Sequence, residues 1–129
     1  MAIRVEVEAG LMVWHYSGLL ALSDFDDVAD QLLVHQAACQ ACPRLMILYH
    51  RGLDASGMDA EALEALLVRV KDIHARILDK CIQRTAHVCG DDLIRHAVEH
   101  YVLRVEARAD DEQRVFVTEA EARSWLAAL

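Results

Sequence analysis

Apolar and charged positions alternate strictly at the start of the chain, from residue 3 to residue 8. A second alternating run covers residues 11 to 16, directly after Gly10. Alternation with a period of two is typical of β-strands, and two such runs joined by a short glycine-containing turn predict an antiparallel hairpin.

The spacing of apolar residues then becomes helical. Ser23 is a favourable N-cap residue, and the acidic residues that follow it suit the positive end of a helix dipole. Cys39 lies seven positions after Leu32, so both are expected on one inward stripe. The helix must end before Pro43, because the residue before proline avoids the α conformation. The other residues of the stripe are Phe25, Val28, Ala29 and Leu33.

Strands and helices alternate through the rest of the chain. The continuous apolar run "LMILY" (45–49) predicts a strand covered on both faces. "RTAHVCG" and "RVFV" predict two further strands, and Thr118 with Glu121 forms a capping-box pattern at the last helix. The expected inward faces of the three helices are Leu63, Leu66, Leu67, Val70, Ile73 and Ile77; Leu93, Ile94, Ala97, Val98, Tyr101 and Val105; and Ala122, Trp125, Leu126 and Leu129.

This order, β-β-α-β-α-β-α-β-α, predicts a single α/β domain spanning residues 1–129. Strands that alternate with helices form βαβ units. We therefore expect an N-terminal antiparallel hairpin joined to a mostly parallel sheet that about four helices cover.

Charge and composition narrow the function classes. The net charge of −8 argues against binding to nucleic acid or to an anionic membrane surface, since both need a basic face. The chain has no apolar run of about 18 residues and no signal-peptide pattern at its start. Four cysteines without a secretion signal predict reduced thiols and a cytoplasmic location.

Cys39 and Cys42, with His35 one helical turn before them, could be structural thiols, a metal site or a redox pair. Because the C-x-x-C ends a helix, the partial negative charge there disfavours a thiolate. A closed zinc site also needs a second paired motif. We therefore favour structural thiols and expect no cofactor. His96 and His100 share one helical face, which we interpret as solvent-exposed.

The segment after the central strand is the expected binding loop. Ligands of open α/β sheets collect at the carboxyl ends of strands, and Arg51 suits capture of a phosphate or carboxylate. The chain has no G-x-S-x-G, P-loop or dinucleotide-binding motif. His50, Asp54 and Ser56 are the residue types of a Ser-His-Asp triad, but three such residues within one short loop rarely form a working triad. We therefore expect no enzyme. The residues of the expected site are His50, Arg51, Asp54, Ser56, Gly57, Asp91 and Asp92.

The stretch "LDASGMDAEALEALLVRVKDI", directly after "LMILYHRG", resembles the STAS-domain superfamily, in which a strand leads to Asp-Ser-Ser-Gly-Leu and a helix. Here the corresponding residues are Asp54, Ala55, Ser56, Gly57 and Met58. "YSGLLALSDFDDV" resembles the turn before the first helix of that family. The C-terminal part is similar to a divergent branch, the sporulation anti-sigma-factor-antagonist-like (STAS/Sec14-like) proteins.

The resemblance implies a regulatory or interaction module that binds a partner protein, in this family a kinase-type anti-sigma factor. It also implies that Ser56 is a phosphorylation candidate. The alternative for Ser56 is a simple helix N-cap, with Asp59 at the third helical position. A second function class is a carrier of a small apolar, lipid-like ligand, held between sheet and helices by analogy with Sec14-type proteins. A thiol or metal protein is the third class, and a homodimer is left open.

Overall fold

The computed structural model describes residues 2–106 and 111–129. Its centre is a five-stranded sheet in the order β1-β2-β3-β4-β5. β1 and β2 form the antiparallel hairpin, and every later pairing is parallel. The strands are β1 (Ile3–Glu8), β2 (Leu11–Tyr16), β3 (Arg44–Tyr49), β4 (Arg84–Cys89) and β5 (Glu112–Phe116).

Helices connect the parallel strands, so the element order and the mixed sheet predicted from the sequence are confirmed. One helix continues into a π-helical turn, Ile73–Ile77. The helices are α1 (Asp24–Val34), α2 (Gln36–Gln40), α3 (Ala60–Asp72), α4 (Asp92–Glu106) and α5 (Glu119–Ala127). None of them, among the residues described, is long and apolar enough to cross a membrane.

The sheet is covered on both faces. On one face Trp14 and Ile47 pack with Phe25 of α1 and Leu66 of α3. On the other face α5 packs against β2, β3 and β4, and its anchor Leu126 is buried. Because consecutive side chains of a strand point to opposite faces, β2 and β3 are buried on both sides, and for β3 the run "LMILY" predicted this.

The first helix differs from the prediction in three ways. Leu33, expected on the inward stripe, is 53% exposed. Ser23 stands at the N-cap position of α1 but makes no side-chain capping bond. The carboxylate of Asp24 instead accepts a hydrogen bond from the backbone N–H of Ala21 at 2.7 Å. The helix also breaks at His35. Gln40 of the following α2 donates to the carbonyl oxygen of Ile77. This contact with a residue distant in sequence fixes the direction of α2 after the break.

The inward face of α4 was predicted incorrectly at two positions. Leu93 is 85% exposed, and Ala97 is also exposed. The buried residues are Val98, Val102 and Val105. α4 has apolar residues around most of its circumference, so the sequence pattern does not define one buried face. Its packing on β4 and β5, near the edge of the sheet, decides which of these residues are buried.

The last helix begins as predicted and ends differently. Thr118 caps α5 by accepting a hydrogen bond from the backbone N–H of Glu121. Leu129, expected inside, is 41% exposed. Trp125 is half-buried, with its ring 5.6 Å from that of Phe116.

Candidate functional site

The loop that follows β3, residues 50–57 and hereafter the β3 loop, is held against the turn after β2. The backbone N–H of Asp54 donates to the carbonyl oxygen of Gly18 at 2.8 Å, and the N–H of Leu20 donates to that of Asp54 at 2.9 Å. Leu53 is buried and anchors the middle of the loop. Two main-chain bonds and one apolar anchor therefore fix a loop whose Arg51 is exposed.

Ser56 is not the N-cap of the following helix, so this interpretation of the sequence was wrong. α3 begins at Ala60, and Asp59 is its cap, accepting a hydrogen bond from the N–H of Ala62 at 2.8 Å. Asp59 is the cap because its backbone is extended, which is the usual conformation of an N-cap residue. A phosphate on Ser56 would consequently lie before the helix, three residues ahead of its Asp59 cap.

Ser56 is exposed and forms a tight turn with Asp54. The backbone N–H of Ser56 donates to the Asp54 carboxylate at 2.9 Å. Hydrogen bonds from the Ser56 side chain, and then from its backbone, lower the pKa of Asp54. The carboxylate therefore stays ionised at neutral pH beside an accessible hydroxyl group.

His50, predicted in the loop, lies against His15, which the sequence analysis did not select. The rings stack with centroids 5.0 Å apart, and His15 Nδ1 lies 2.8 Å from His50 Nε2. His15 Nε2 in turn lies 2.7 Å from the Glu6 carboxylate. Burial first, and then the charge of His15, lowers the pKa of His50. Because His50 binds His15 while Ser56 binds Asp54, the residues of the rejected triad lie in two separate networks.

The carboxylates after β4 have local roles, and the structure does not join them to the β3 loop as expected. Asp91 accepts hydrogen bonds from the N–H groups of Leu93 and Ile94, each at 3.0 Å, and so caps α4. Asp92 pairs with Arg95 of the same helix. β3 and β4 are neighbours in the sheet, so both loops leave the same edge, but these carboxylates are used at the start of their own helix.

The cysteines are free thiols, and Cys39 and Cys42 are buried. Burial raises the pKa of both. Burial also raises the pKa of Cys81, whose thiol faces the Cys39 carbonyl oxygen, to about 11. His35 is exposed at the break between α1 and α2. Among the described residues no three His, Cys, Asp or Glu side chains group in a way that could hold a metal ion.

A cavity of about 490 Å³ lies between the sheet, α3 with its π-helical turn, and α4. The sequence suggested a pocket between sheet and helices only as an alternative, by analogy. Its walls are mostly apolar, and its floor carries polar side chains from β4 and β5. The apolar lining residues include Leu45, Ile47, Leu67, Val70, Ile82 and Val105.

The polar floor is one directed chain of hydrogen bonds. The amide of Gln113 donates to the Asp111 carboxylate at 2.7 Å, so its oxygen is left to accept from His87 Nε2, also at 2.7 Å. His87 Nδ1 then accepts from the hydroxyl of Tyr49 at 2.9 Å. Thr85 donates to Asp111 at 2.5 Å. Burial lowers the pKa of His87 to about 4, which keeps this imidazole neutral.

Trp14, which also lines this cavity, has an indole N–H without a partner in the part of the chain that the structure describes. Its side chain is 1% exposed, yet its indole N–H has no hydrogen-bond partner among the described residues. A buried donor without an acceptor costs about 1–3 kcal/mol. A cavity-lining residue therefore carries an unsatisfied donor, whereas His87 and Thr85 of the floor donate to Gln113 and Asp111.

A search of solved structures finds similarity to the crystal structure of an anti-sigma factor antagonist from Mycobacterium paratuberculosis. The two chains share 14% sequence identity with a TM-score of 0.56, over 97% of this chain and 92% of that one. This likeness confirms the predicted STAS-like fold. A scan against protein-family models and a search of curated proteins find no match.

Proposed function

We propose that this protein is a regulatory module of the anti-sigma-factor-antagonist type, which binds a partner protein through the β3 loop. The fold supports this class of function, since a solved structure with the same fold is that of an anti-sigma factor antagonist. The partner class is then a kinase-type anti-sigma factor. The observation that carries the proposal is the way the β3 loop is held.

The loop is rigid at its base and exposed at its tip. Asp54 pairs through its backbone with Gly18 and Leu20, while Arg51 and Ser56 face solvent. Rigid display of exposed side chains lowers the entropic cost of forming an interface. Leu19, in the turn that pairs with the loop, is 63% exposed. It therefore offers the partner an apolar contact in addition to the charged contact of Arg51.

Ser56 gives this surface a means of control. Its hydroxyl is accessible and lies next to the ionised Asp54 carboxylate. A phosphate would add a charge of about −1.5 to −2 at that point and repel Asp54. Phosphorylation would therefore open the turn and change the surface that the partner contacts.

Binding of purified kinase-type anti-sigma factors from the source organism tests the proposal, with this chain immobilised. Leu19→Asp and Arg51→Glu should each weaken binding about tenfold or more, as for central interface residues. Leu103→Asp is the matched control, because Leu103 is equally exposed, at 66%, near the C-terminal end of α4. If the three variants bind alike, the β3 loop is not the interface, and if no anti-sigma factor binds, the partner class is wrong.

The switch has its own test. Incubation with the partner kinase and ATP should add one phosphate to the protein, as seen by intact mass spectrometry, and Ser56→Ala should prevent it. Ser56→Asp should weaken partner binding with little change in stability, because Ser56 caps no helix. Phosphate on the Ser56→Ala variant would place the modification elsewhere.

A carrier of a small apolar ligand is the second candidate function, and the cavity favours it. That cavity is lined by α3, α4 and the sheet, with none of the β3 loop residues. The two functions therefore use separate surfaces and can be tested separately.

A further inference from the structure

We propose that the cavity binds a small amphipathic carboxylic acid, with its apolar part against the walls and one carboxylate oxygen accepting the indole N–H of Trp14. This assignment specifies the ligand class of the second candidate function and does not depend on the β3 loop. Three features of the cavity carry it.

The first feature is the size and the lining. A volume of about 490 Å³ falls within the range of about 300–1,000 Å³ typical of small-molecule sites. Such sites combine an apolar lining with a few polar groups that orient the ligand. Leu45 and Ile47 of the sheet, Leu67 of α3 and Val105 of α4 supply apolar surface from opposite sides.

The second feature is the direction of the hydrogen bonds. In the floor, the hydrogen bonds form one chain in which each donor meets an acceptor: Tyr49 donates to His87, His87 to Gln113, and Gln113 to Asp111. The indole N–H of Trp14, by contrast, meets no acceptor in the described part of the chain. Because indole can only donate, the group that completes this site must be an acceptor.

The third feature is the charge at the cavity. Lys71 and Lys80 both line it, and Lys71 is exposed, which puts its ammonium group at the rim. The half-buried His74 lies beside Trp14, with ring centroids 6.4 Å apart. Asp111 is the acidic residue of the lining within residues 2–106 and 111–129, and it already accepts bonds from Thr85 and Gln113. The cationic Lys71 at the rim favours an acceptor that carries negative charge.

The backbone around these groups is unusual. α3 widens into the π-helical turn that carries His74, and such turns are frequent at functional sites. Asp79 and Lys80 follow it with φ values of 52° and 51°, a left-handed conformation that is unfavourable for residues other than glycine. The geometry that brings Lys80 to the cavity is thus maintained against local preference.

Decanoate is the first probe, with methyl decanoate as a neutral acceptor, 1-decanol as an alcohol and 2-naphthoate as a ring-shaped acid. Isothermal titration of the full chain should show one decanoate site. Preference for decanoate would indicate a chain-like ligand, and preference for 2-naphthoate an aromatic metabolite.

Trp14→Phe removes the N–H and keeps an aromatic ring, so it should weaken the binding of both decanoate and methyl decanoate about tenfold. Lys71→Met should weaken decanoate only.

Trp125→Phe is the matched control, because Trp125 packs on the α5 face of the sheet and should leave affinity unchanged. The indole N–H resonances of the wild-type protein give a readout that needs no variant to fold. Decanoate should shift the Trp14 signal and leave that of Trp125 in place. If neither acid binds, the cavity is not a ligand site, and if decanoate binds without moving the Trp14 signal, the assignment to its N–H is wrong. Leu19→Asp should leave decanoate binding intact, which separates this result from the fate of the partner proposal.

Discussion

Protonation of His87 should make the stability of this protein fall with pH in a defined window. His87 is 1% exposed on β4, and burial lowers its pKa from 6.5 to about 4. The unfolded chain therefore binds a proton at a pH where the folded protein does not. Stability from this residue is complete above pH 6.5 and is lost progressively as the pH falls towards about 4.

The structure gives both the cause and the size of this effect. Gln113 donates to Asp111 and so presents its oxygen to His87 Nε2, which must carry the proton, while Nδ1 accepts from Tyr49. A second proton on Nδ1 would remove the bond from Tyr49 and leave a buried charge. One pKa unit is worth about 1.4 kcal/mol, so the difference between 6.5 and about 4 corresponds to roughly 3 kcal/mol of unfolding free energy.

Chemical denaturation of the wild-type protein and of His87→Gln, at several pH values from 7.5 to 4, measures this difference. Glutamine can still donate and accept one hydrogen bond, and His50 and His74 titrate in both proteins. The stability advantage of the wild type over the variant should shrink by about 3 kcal/mol across the window. A constant difference would refute the reasoning. So would an NMR titration of the wild-type His87 imidazole with a midpoint near 6.5, a measurement that stands even if the variant does not fold.

Three other experiments test the docking of α5, the cap of α3 and the burial of Cys39. Leu126→Ala should cost about 2–5 kcal/mol in denaturation experiments because Leu126 is buried, while Leu129→Ala should change stability by no more than about 0.5 kcal/mol; equal effects would mean that α5 is docked differently. Asp59→Ala should cost about 1 kcal/mol through loss of the α3 cap, and a larger loss from Ser56→Ala would restore Ser56 as the cap. Cys39 should react with a thiol reagent far more slowly in the native protein than in the unfolded chain, since burial raises its pKa, and rapid native labelling would contradict this.

Much of the fold follows from local sequence. The hairpin turns at Gly10, whose φ of 72° is a conformation that glycine adopts easily. Thr118 caps α5 as its spacing from Glu121 indicates. These features depend on interactions between residues close in the chain, so a short stretch of sequence contains all the information needed.

The arrangement of the β3 loop was predicted in part, and its role as a binding site stays a prediction. The sequence located the β3 loop, because carboxyl ends of buried strands are recognisable from composition. It could not show that Asp54 pairs with the turn after β2 or that His50 stacks on His15, since both contacts depend on the parallel register of β2 and β3. The alternation in β2 did contain His15 as a polar interruption, but only the register supplies its partner.

The sequence by itself determined the order of strands and helices and the apolar residues of the central strands. The tertiary structure alone decided which face of α4 turns inward, where α3 is capped, and that a cavity lies between α3, α4 and the sheet. Leu93 and Val98 are both apolar residues on α4, yet one is exposed and the other buried. Hydrophobicity is a property of each residue, whereas burial and the unmet N–H of Trp14 depend on how distant elements pack, which no local pattern encodes.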